Sequence, residues 1–303
     1  MRVIYGINKI VRARVAVVAM GVFDGVHRGH KEILKAAVTR ARQVNGTSIV
    51  VTFWPHPQLQ ESLYSLEHRL RLFAELGIDL CVVINFSRHF SGISAVDFVK
   101  NVLVRKLSSK YIYVGKDFRF GRNAQGSFAL LEELGKKYGF KAKGFSIVKY
   151  RGRPIRSTLI RGIIKQGKIK EAQALLDRPV SILGTVVKGT SLGRILGSPT
   201  ANINPHHEVI PAEGIYAVRI IFKGKRFMGA CYIGKRPTLK LLKKVTGVEV
   251  YILNFKRNIY GENLEIQFVK KIRSDKKFPS LAILSSQIRK DIVRARKILL
   301  SAS

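Results

Sequence analysis

The sequence predicts an α/β domain with a parallel sheet, followed by a second domain made of short β-strands. In the first half of the 303-residue chain, apolar strands alternate with amphipathic helices, the pattern of a parallel sheet covered on both faces. After residue 178 the pattern changes to short strands separated by glycine-rich turns, which indicates a barrel or a sandwich. We therefore expect one domain at residues 1–178 and another at residues 179–303.

The first predicted strand and helix flank the most informative stretch, residues 21–30. The apolar run Val15–Met20 predicts a buried strand, and Lys31–Gln43 has apolar residues at helical spacing. A glycine-containing turn between a strand and a helix favours phosphate binding, because the helix start offers free N–H groups and a positive dipole end. His27 and His30 add two imidazoles that can donate to one phosphate. The alternative, a pair of surface loop histidines, is less consistent with this context.

The strand–helix alternation continues through the first domain. Further strands are predicted at Thr47–Phe53, Leu80–Asn85, Tyr111–Gly115 and Ala142–Val148, and helices at Ser65–Leu76 and Ser94–Lys106. The apolar face of the first of these helices is assigned to Leu66, Leu70, Phe73 and Leu76. Ligands of parallel sheets bind beyond the carboxyl ends of the strands. Residues 21–30, 52–56 and 114–121 all lie at such ends, so we expect a site there.

Two later stretches add candidates to this site. Phe118 lies among charged residues and suits a stacking partner, although a core aromatic is the alternative. Ser157 and Thr158 can cap the next helix, and their hydroxyl or N–H groups can hold a phosphate. Arg161 would then lie one turn inside that helix, where it can pair with a phosphate oxygen.

The second domain has its own glycine-rich stretch, residues 188–202, which lacks the Gly-Lys-Ser/Thr of a P-loop. Its candidate phosphate ligands are the backbone of Gly189 and Gly193 together with Arg194. Thr200 and Asn202 offer neutral oxygens suited to a hydrated magnesium ion. Glu249 lies within an apolar strand, where an acid is either paired structurally or acts as a base.

Bulk properties limit the class of protein. No run of eighteen uncharged apolar residues occurs, so no membrane span is expected. Cys81 and Cys231 lie far apart in apolar runs, which indicates buried free thiols in a reducing cytoplasm. The net charge of +36 suits a polyanion partner. Because the excess is spread along the chain without a nucleic-acid module, we do not expect dedicated nucleic-acid binding.

Residues 21–30 resemble the fingerprint of the nucleotidylyltransferase superfamily. Residues 193–202 end in Pro-Thr-Ala-Asn and resemble the signature of riboflavin kinases. With both in this order, nearly the whole chain resembles the bacterial bifunctional riboflavin kinase/FAD synthetase family. The resemblance implies a Rossmann-like nucleotidylyltransferase domain, then a six-stranded barrel with a C-terminal helix. It implies phosphorylation of riboflavin to FMN with MgATP in the second domain, and adenylylation of FMN to FAD with pyrophosphate release in the first.

The resemblance also implies residue roles. Glu249 would be the base of the kinase step, with magnesium and phosphates held by Thr200 and Asn202. His27, His30 and Arg161 would stabilise charge in adenylylation. The remaining implied ligands are, for ATP and phosphate, Gly21, Phe23, Asp24, Gly29, Ser157, Thr158, Gly189, Gly193 and Arg194, and for the flavin, Asp117 and Phe118.

Four residues depart from the family pattern: Trp54, Arg156, Ser198 and Leu239. Trp54 and Arg156 bear on adenylylation, whereas Ser198 and Leu239 reduce aromatic packing near the kinase site. The alternatives are therefore an enzyme with one working half and a basic nucleic-acid-binding protein that lost catalysis. The presence of both histidines and Glu249 argues against the second alternative.

Overall fold

A computed structural model describes residues 1–10, 14–55, 61–189, 197–206, 208–236 and 245–302. Within it the chain divides into two compact units. The first contains residues 1–62 and 66–157, and the second contains residues 63–65 and 158–303. The helices between residues 158 and 176 therefore group with the second unit. The boundary at residue 178 stays a prediction for the division of function.

The first unit is organised around a six-stranded parallel sheet with the strand order β1-β4-β3-β2-β5-β6. These strands are β1 Arg2–Tyr5, β2 Ala16–Met20, β3 Thr47–Trp54, β4 Leu80–Asn85, β5 Ser109–Gly115 and β6 Lys141–Phe145. Every residue of β2 is buried, as expected for a strand covered on both faces. The predicted α/β architecture is confirmed.

Helices cover this sheet. They are α1 Arg28–Gln43, α2 Leu66–Glu75, α3 Arg88–Ser91, α4 Ala95–Asp97 with its π-helical continuation Phe98–Lys106, and α5 Phe128–Tyr138. The predicted Ser94 cap is confirmed, because its hydroxyl accepts a hydrogen bond from the N–H of Asp97 at 3.0 Å. A short 3-10 helix, Arg122–Ala124, and a hairpin of β7 Lys149–Tyr150 and β8 Arg153–Pro154 complete the unit.

The apolar face predicted for α2 is wrong. Of the four residues assigned to it, only Phe73 is buried; the buried set is His68, Arg69, Leu72 and Phe73. The helix is rotated relative to the prediction and buries Arg69, whose guanidinium has polar partners inside the unit, as described below. A buried arginine is invisible to a pattern that counts only apolar side chains.

The second unit is built on a closed antiparallel barrel with the strand order β10-β13-β12-β11-β14-β9. Its strands are β9 Val180–Val187, β10 Ala201–Asn204, β11 Gly214–Phe222, β12 Lys225–Arg236, β13 Val245–Ile252 and β14 Asn263–Arg273. The six-stranded barrel is confirmed, and the sandwich alternative is wrong. The helices are α6 Ser157–Lys165, α7 Ile169–Leu176 and the C-terminal α8 Leu281–Ser301, which packs on β11, β12 and β14.

Cys81 and Cys231 are both buried free thiols, as predicted. Burial raises the pKa of Cys81 to about 12, so this thiol stays protonated near neutral pH. Within the described residues, no helix combines the length and the apolar character that a bilayer crossing requires.

Candidate active sites

The turn from β2 to α1 forms the start of a helix at the carboxyl edge of the sheet. His27 is the N-cap of α1, and its Nδ1 accepts a long hydrogen bond, 3.4 Å, from the backbone N–H of His30. A neutral imidazole that accepts at Nδ1 carries its proton on Nε2, so Nε2 is the donor of this ring. No acidic residue occupies the first turn of α1, so the positive end of the helix dipole is not offset there.

The two histidines of this turn pack against each other. Their rings stack with centroids 3.6 Å apart, and the Phe23 ring meets His30 edge-on at 5.3 Å. His27 is 5% exposed and Phe23 is 2% exposed, so packing fixes the orientation of both rings. A Cβ at Gly21 would lie 3.1 Å from the Phe23 ring, so the ring packs tightly against this glycine. The structure therefore brings together the histidines on which the sequence argument depended.

Ser157 joins this turn in a way that the sequence did not predict. Its hydroxyl donates to the carbonyl oxygen of Asp24 at 2.7 Å, and α6 begins at Ser157 itself. Asp24 is 2% exposed. Thr158 and Arg161 belong to the second unit, so their relation to the histidines stays a prediction.

The candidate flavin ligands lie just after β5. Asp117 faces Arg156 with 3.8 Å between Oδ2 and Nη1, and both side chains are more than half exposed. Phe118 packs partly against the core of the first unit and stacks with Phe120 at 6.1 Å. Arg156, one of the departures from the family pattern, is therefore placed beside a candidate flavin ligand.

The second candidate site lies on three neighbouring strands of the barrel. Glu249 on β13 is directly opposite Asn202 on β10 and Tyr232 on β12. Thr200 donates its hydroxyl hydrogen to Oε2 of Glu249 at 3.1 Å. Gly189 lies directly against the Asn202 amide, where any side chain would clash. The structure thus assembles four of the residues that the sequence singled out.

Tyr232 is a neighbour of Glu249 that the sequence analysis missed, and Asp275 is its hydrogen-bond partner. The Tyr232 hydroxyl donates to Oδ2 of Asp275 at 3.0 Å. Burial, the Asp275 carboxylate and, more weakly, Glu249 raise the pKa of Tyr232 to about 12, so its phenol remains a donor at physiological pH. Nothing in a one-dimensional pattern links residue 232 to residue 275, since the contact depends on barrel closure.

Several candidate residues fall outside the part of the chain that the structure describes. Gly193 and Arg194 of the glycine-rich stretch are among them, as is Leu239. Their assignments stay predictions. Ser198 is described and is 6% exposed.

Comparisons with known proteins agree with this arrangement. A family model described as FAD synthetase matches residues 9–159, and one described as riboflavin kinase matches residues 176–299. A bifunctional riboflavin kinase/FMN adenylyltransferase from Buchnera aphidicola subsp. Schizaphis graminum is 37% identical, with 98% of each chain covered. The chain belongs to the bifunctional riboflavin kinase/FMN adenylyltransferase family.

Other relatives support the family over the full length. The Escherichia coli K12 bifunctional riboflavin kinase/FMN adenylyltransferase is 35% identical, covering 98% of this chain and 97% of its own. The crystal structure of a macrolide-efflux protein from Streptococcus pneumoniae superposes with a TM-score of 0.82 at 28% identity, over 96% of this chain and 97% of that chain. Both halves of a bifunctional family member are therefore present, each with its own candidate site.

Proposed function

We propose that this chain makes FMN from riboflavin in its second unit and FAD from FMN in its first. The observation that carries the proposal is that each family module holds a separate constellation suited to one step. The first unit has the stacked pair His27–His30 at the start of α1. The second has Glu249 hydrogen-bonded to Thr200 and opposite Asn202 in the barrel.

In the kinase step the riboflavin 5′-hydroxyl attacks the γ-phosphorus of ATP, and ADP leaves. Glu249 accepts the hydroxyl proton as the new O–P bond forms. The Thr200 hydroxyl donates to one carboxylate oxygen, Oε2, and so orients the carboxylate. Positioning and charge stabilisation carry most of the rate enhancement in phosphoryl transfer.

In the adenylylation step a phosphate oxygen of FMN attacks the α-phosphorus of ATP, and pyrophosphate leaves with the bond electrons. Negative charge grows on the phosphoryl oxygens as the transition state forms. We assign the stabilisation of this charge to the N–H groups at the start of α1 and to His27. We also assign Thr158 and Arg161 to the phosphates of this step.

Magnesium enters this scheme as MgATP. The hydroxyl oxygen of Thr200 and the amide oxygen of Asn202 are the kind of neutral donors that Mg²⁺ accepts alongside water and phosphate oxygens. Glu249 adds a carboxylate beside them. These residues therefore fit the ion, which when bound neutralises charge on the ATP phosphates.

We further propose a cytoplasmic location and small-molecule partners only, namely riboflavin, FMN, FAD and ATP. Two buried thiols without a disulfide support a reducing compartment. We do not propose nucleic acid as a partner.

Two alanine variants test the assignment of roles. Glu249→Ala should lose riboflavin phosphorylation while FMN supplied in the assay is still converted to FAD. His27→Ala should show the reverse, because its site is in the other unit. In each variant the surviving activity is the control for folding. A variant that loses both activities in a folded sample, or neither, would reject the assigned roles.

A further inference from the structure

Arg69 is a charged residue enclosed inside the first unit. It lies on α2 and is 1% exposed, which makes it the largest fully buried side chain of the described residues. An arginine is almost never fully buried unless its guanidinium is paired, because desolvation of the guanidinium is costly. The hydrogen-bond partners of Arg69 therefore indicate the role of the buried charge.

Those partners lie under the turn that carries His27. Nη1 of Arg69 donates to the carbonyl oxygen of Val22 at 2.6 Å and to the Thr52 hydroxyl at 3.3 Å. The Thr52 hydroxyl in turn donates to the same Val22 carbonyl at 2.9 Å. One backbone carbonyl of the turn is thus held by two side chains from two different elements, α2 and β3.

The turn itself has a backbone that needs to be held. Phe23 has φ of 52°, Val26 has φ of 41°, and Gly25 between them has φ of 85°. Positive φ is unfavourable for any residue with a side chain, and most of all for a β-branched valine. Such a conformation persists only where surrounding contacts enforce it, and functional sites are where it is found.

A second hold acts on the other side of the turn, where Ser157 donates to the carbonyl of Asp24. The turn is therefore fixed at Val22 and at Asp24, the residues on either side of Phe23. The Asp24 carboxylate also acts on Arg69, since it opposes the lowering of the guanidinium pKa that burial causes. Trp54 closes the other face of the guanidinium, with its ring centroid 5.4 Å from Cζ.

We propose that Arg69 is a positioning residue for adenylylation. Together with Thr52 it clamps the Val22 carbonyl, and this clamp holds His27 and the start of α1 in the position that binding of the phosphates requires. The proposal rests on the proposed function of the first unit. It also gives Trp54 a role, as the aromatic cover of the clamp. A residue that only filled the core would affect folding but not the rate of the folded enzyme.

The test uses the full chain and measures FAD formation from supplied FMN and MgATP. The variants are Arg69→Met, Arg69→Lys, Thr52→Val and the double variant Arg69→Met/Thr52→Val. Riboflavin phosphorylation by the same sample is the internal control, since that site lies in the other unit. Arg71→Met is the matched control, because Arg71 is two residues away on α2 but exposed and paired with Glu67.

We expect Arg69→Met to lower kcat of adenylylation on the order of a hundredfold, the effect of a small misplacement of catalytic groups. The KM for FMN and the rate of riboflavin phosphorylation should both stay within about twofold of the wild-type values. Arg71→Met should match the wild type. Arg69→Lys should recover part of the loss, since one donor remains. The double variant should lose more than the product of the single losses, because Val22 then loses both donors.

A wild-type kcat in folded Arg69→Met, or a double variant equal to the product of the singles, would overturn the clamp. If Arg69→Met does not fold, Thr52→Val decides, since it is nearly isosteric and removes one donor to Val22. An unchanged kcat there would also overturn the clamp. Wild-type protein that forms no FAD from FMN would instead overturn the proposed function.

Discussion

Glu249 is the candidate base of the kinase step. An acid in an apolar strand stands out in the sequence, but the sequence left its role open between a structural pair and a base. The barrel shows what surrounds Glu249. Asn202 and Tyr232 are its neighbours on adjacent strands, and the Thr200 hydroxyl donates to its carboxylate. Those neighbours come from distant parts of the chain and depend on strand register.

The substitution Thr200→Val should slow riboflavin phosphorylation. Valine keeps the shape but removes the hydroxyl that orients the Glu249 carboxylate and that we assign to magnesium. A hydrogen bond to a charged group is worth about 1.5–3 kcal/mol, so kcat should fall at least about tenfold. Steady-state assays of FMN formation would measure it.

Thr246→Val is the matched control for that variant. It lies on the same strand, three residues from Glu249, and therefore points to the opposite face of the strand. Its riboflavin phosphorylation should match the wild type. Equal rates in Thr200→Val and wild type would show that Thr200 does not act on Glu249.

Among whole elements, strongly patterned segments were predicted well and weakly patterned ones were missed. The strand Leu80–Asn85 has the predicted bounds, because a long apolar run leaves little choice. β1 and β10 were not predicted, since each has only four residues and pairs through the sheet around it. α5 was also missed, although Ser127 caps it through the N–H of Leu130.

The C-terminal helix α8 is attached to the barrel by an ion pair between a buried aspartate and a partly buried arginine. Arg273 at the end of β14 donates to Asp291 of α8, with 2.7 Å from Nη2 to Oδ2, and Gln287 donates to Oδ1 at 2.9 Å. The two charged side chains are 18% and 7% exposed. Breaking such a pair leaves one buried charge without compensation, which is more costly than replacing both partners.

Asp291→Ala should therefore destabilise the barrel by about 3–5 kcal/mol. The double variant Asp291→Leu/Arg273→Met should recover much of that loss, because no unpaired charge remains. Chemical denaturation followed by circular dichroism would measure both. A loss below about 1 kcal/mol in Asp291→Ala would contradict a structural role for the pair.

For the whole molecule, the sequence identified two modules and the order in which they occur. It did not account for the net charge of +36. In the structure some of these cations pack on aromatic faces in both units. Arg40 lies 4.3 Å from the Tyr111 ring centroid in the first, and Arg178 lies 4.9 Å from Tyr64 in the second. Such pairs are formed by residues distant in sequence, so no local pattern predicts them.

We propose that one chain performs two successive reactions at two sites. Chromatography of the flavins formed when the purified chain is incubated with riboflavin, ATP and magnesium tests this proposal directly. We expect FMN to appear first and FAD to follow as FMN is consumed. Accumulation of FMN without FAD would contradict the first site, and unchanged riboflavin would contradict the second.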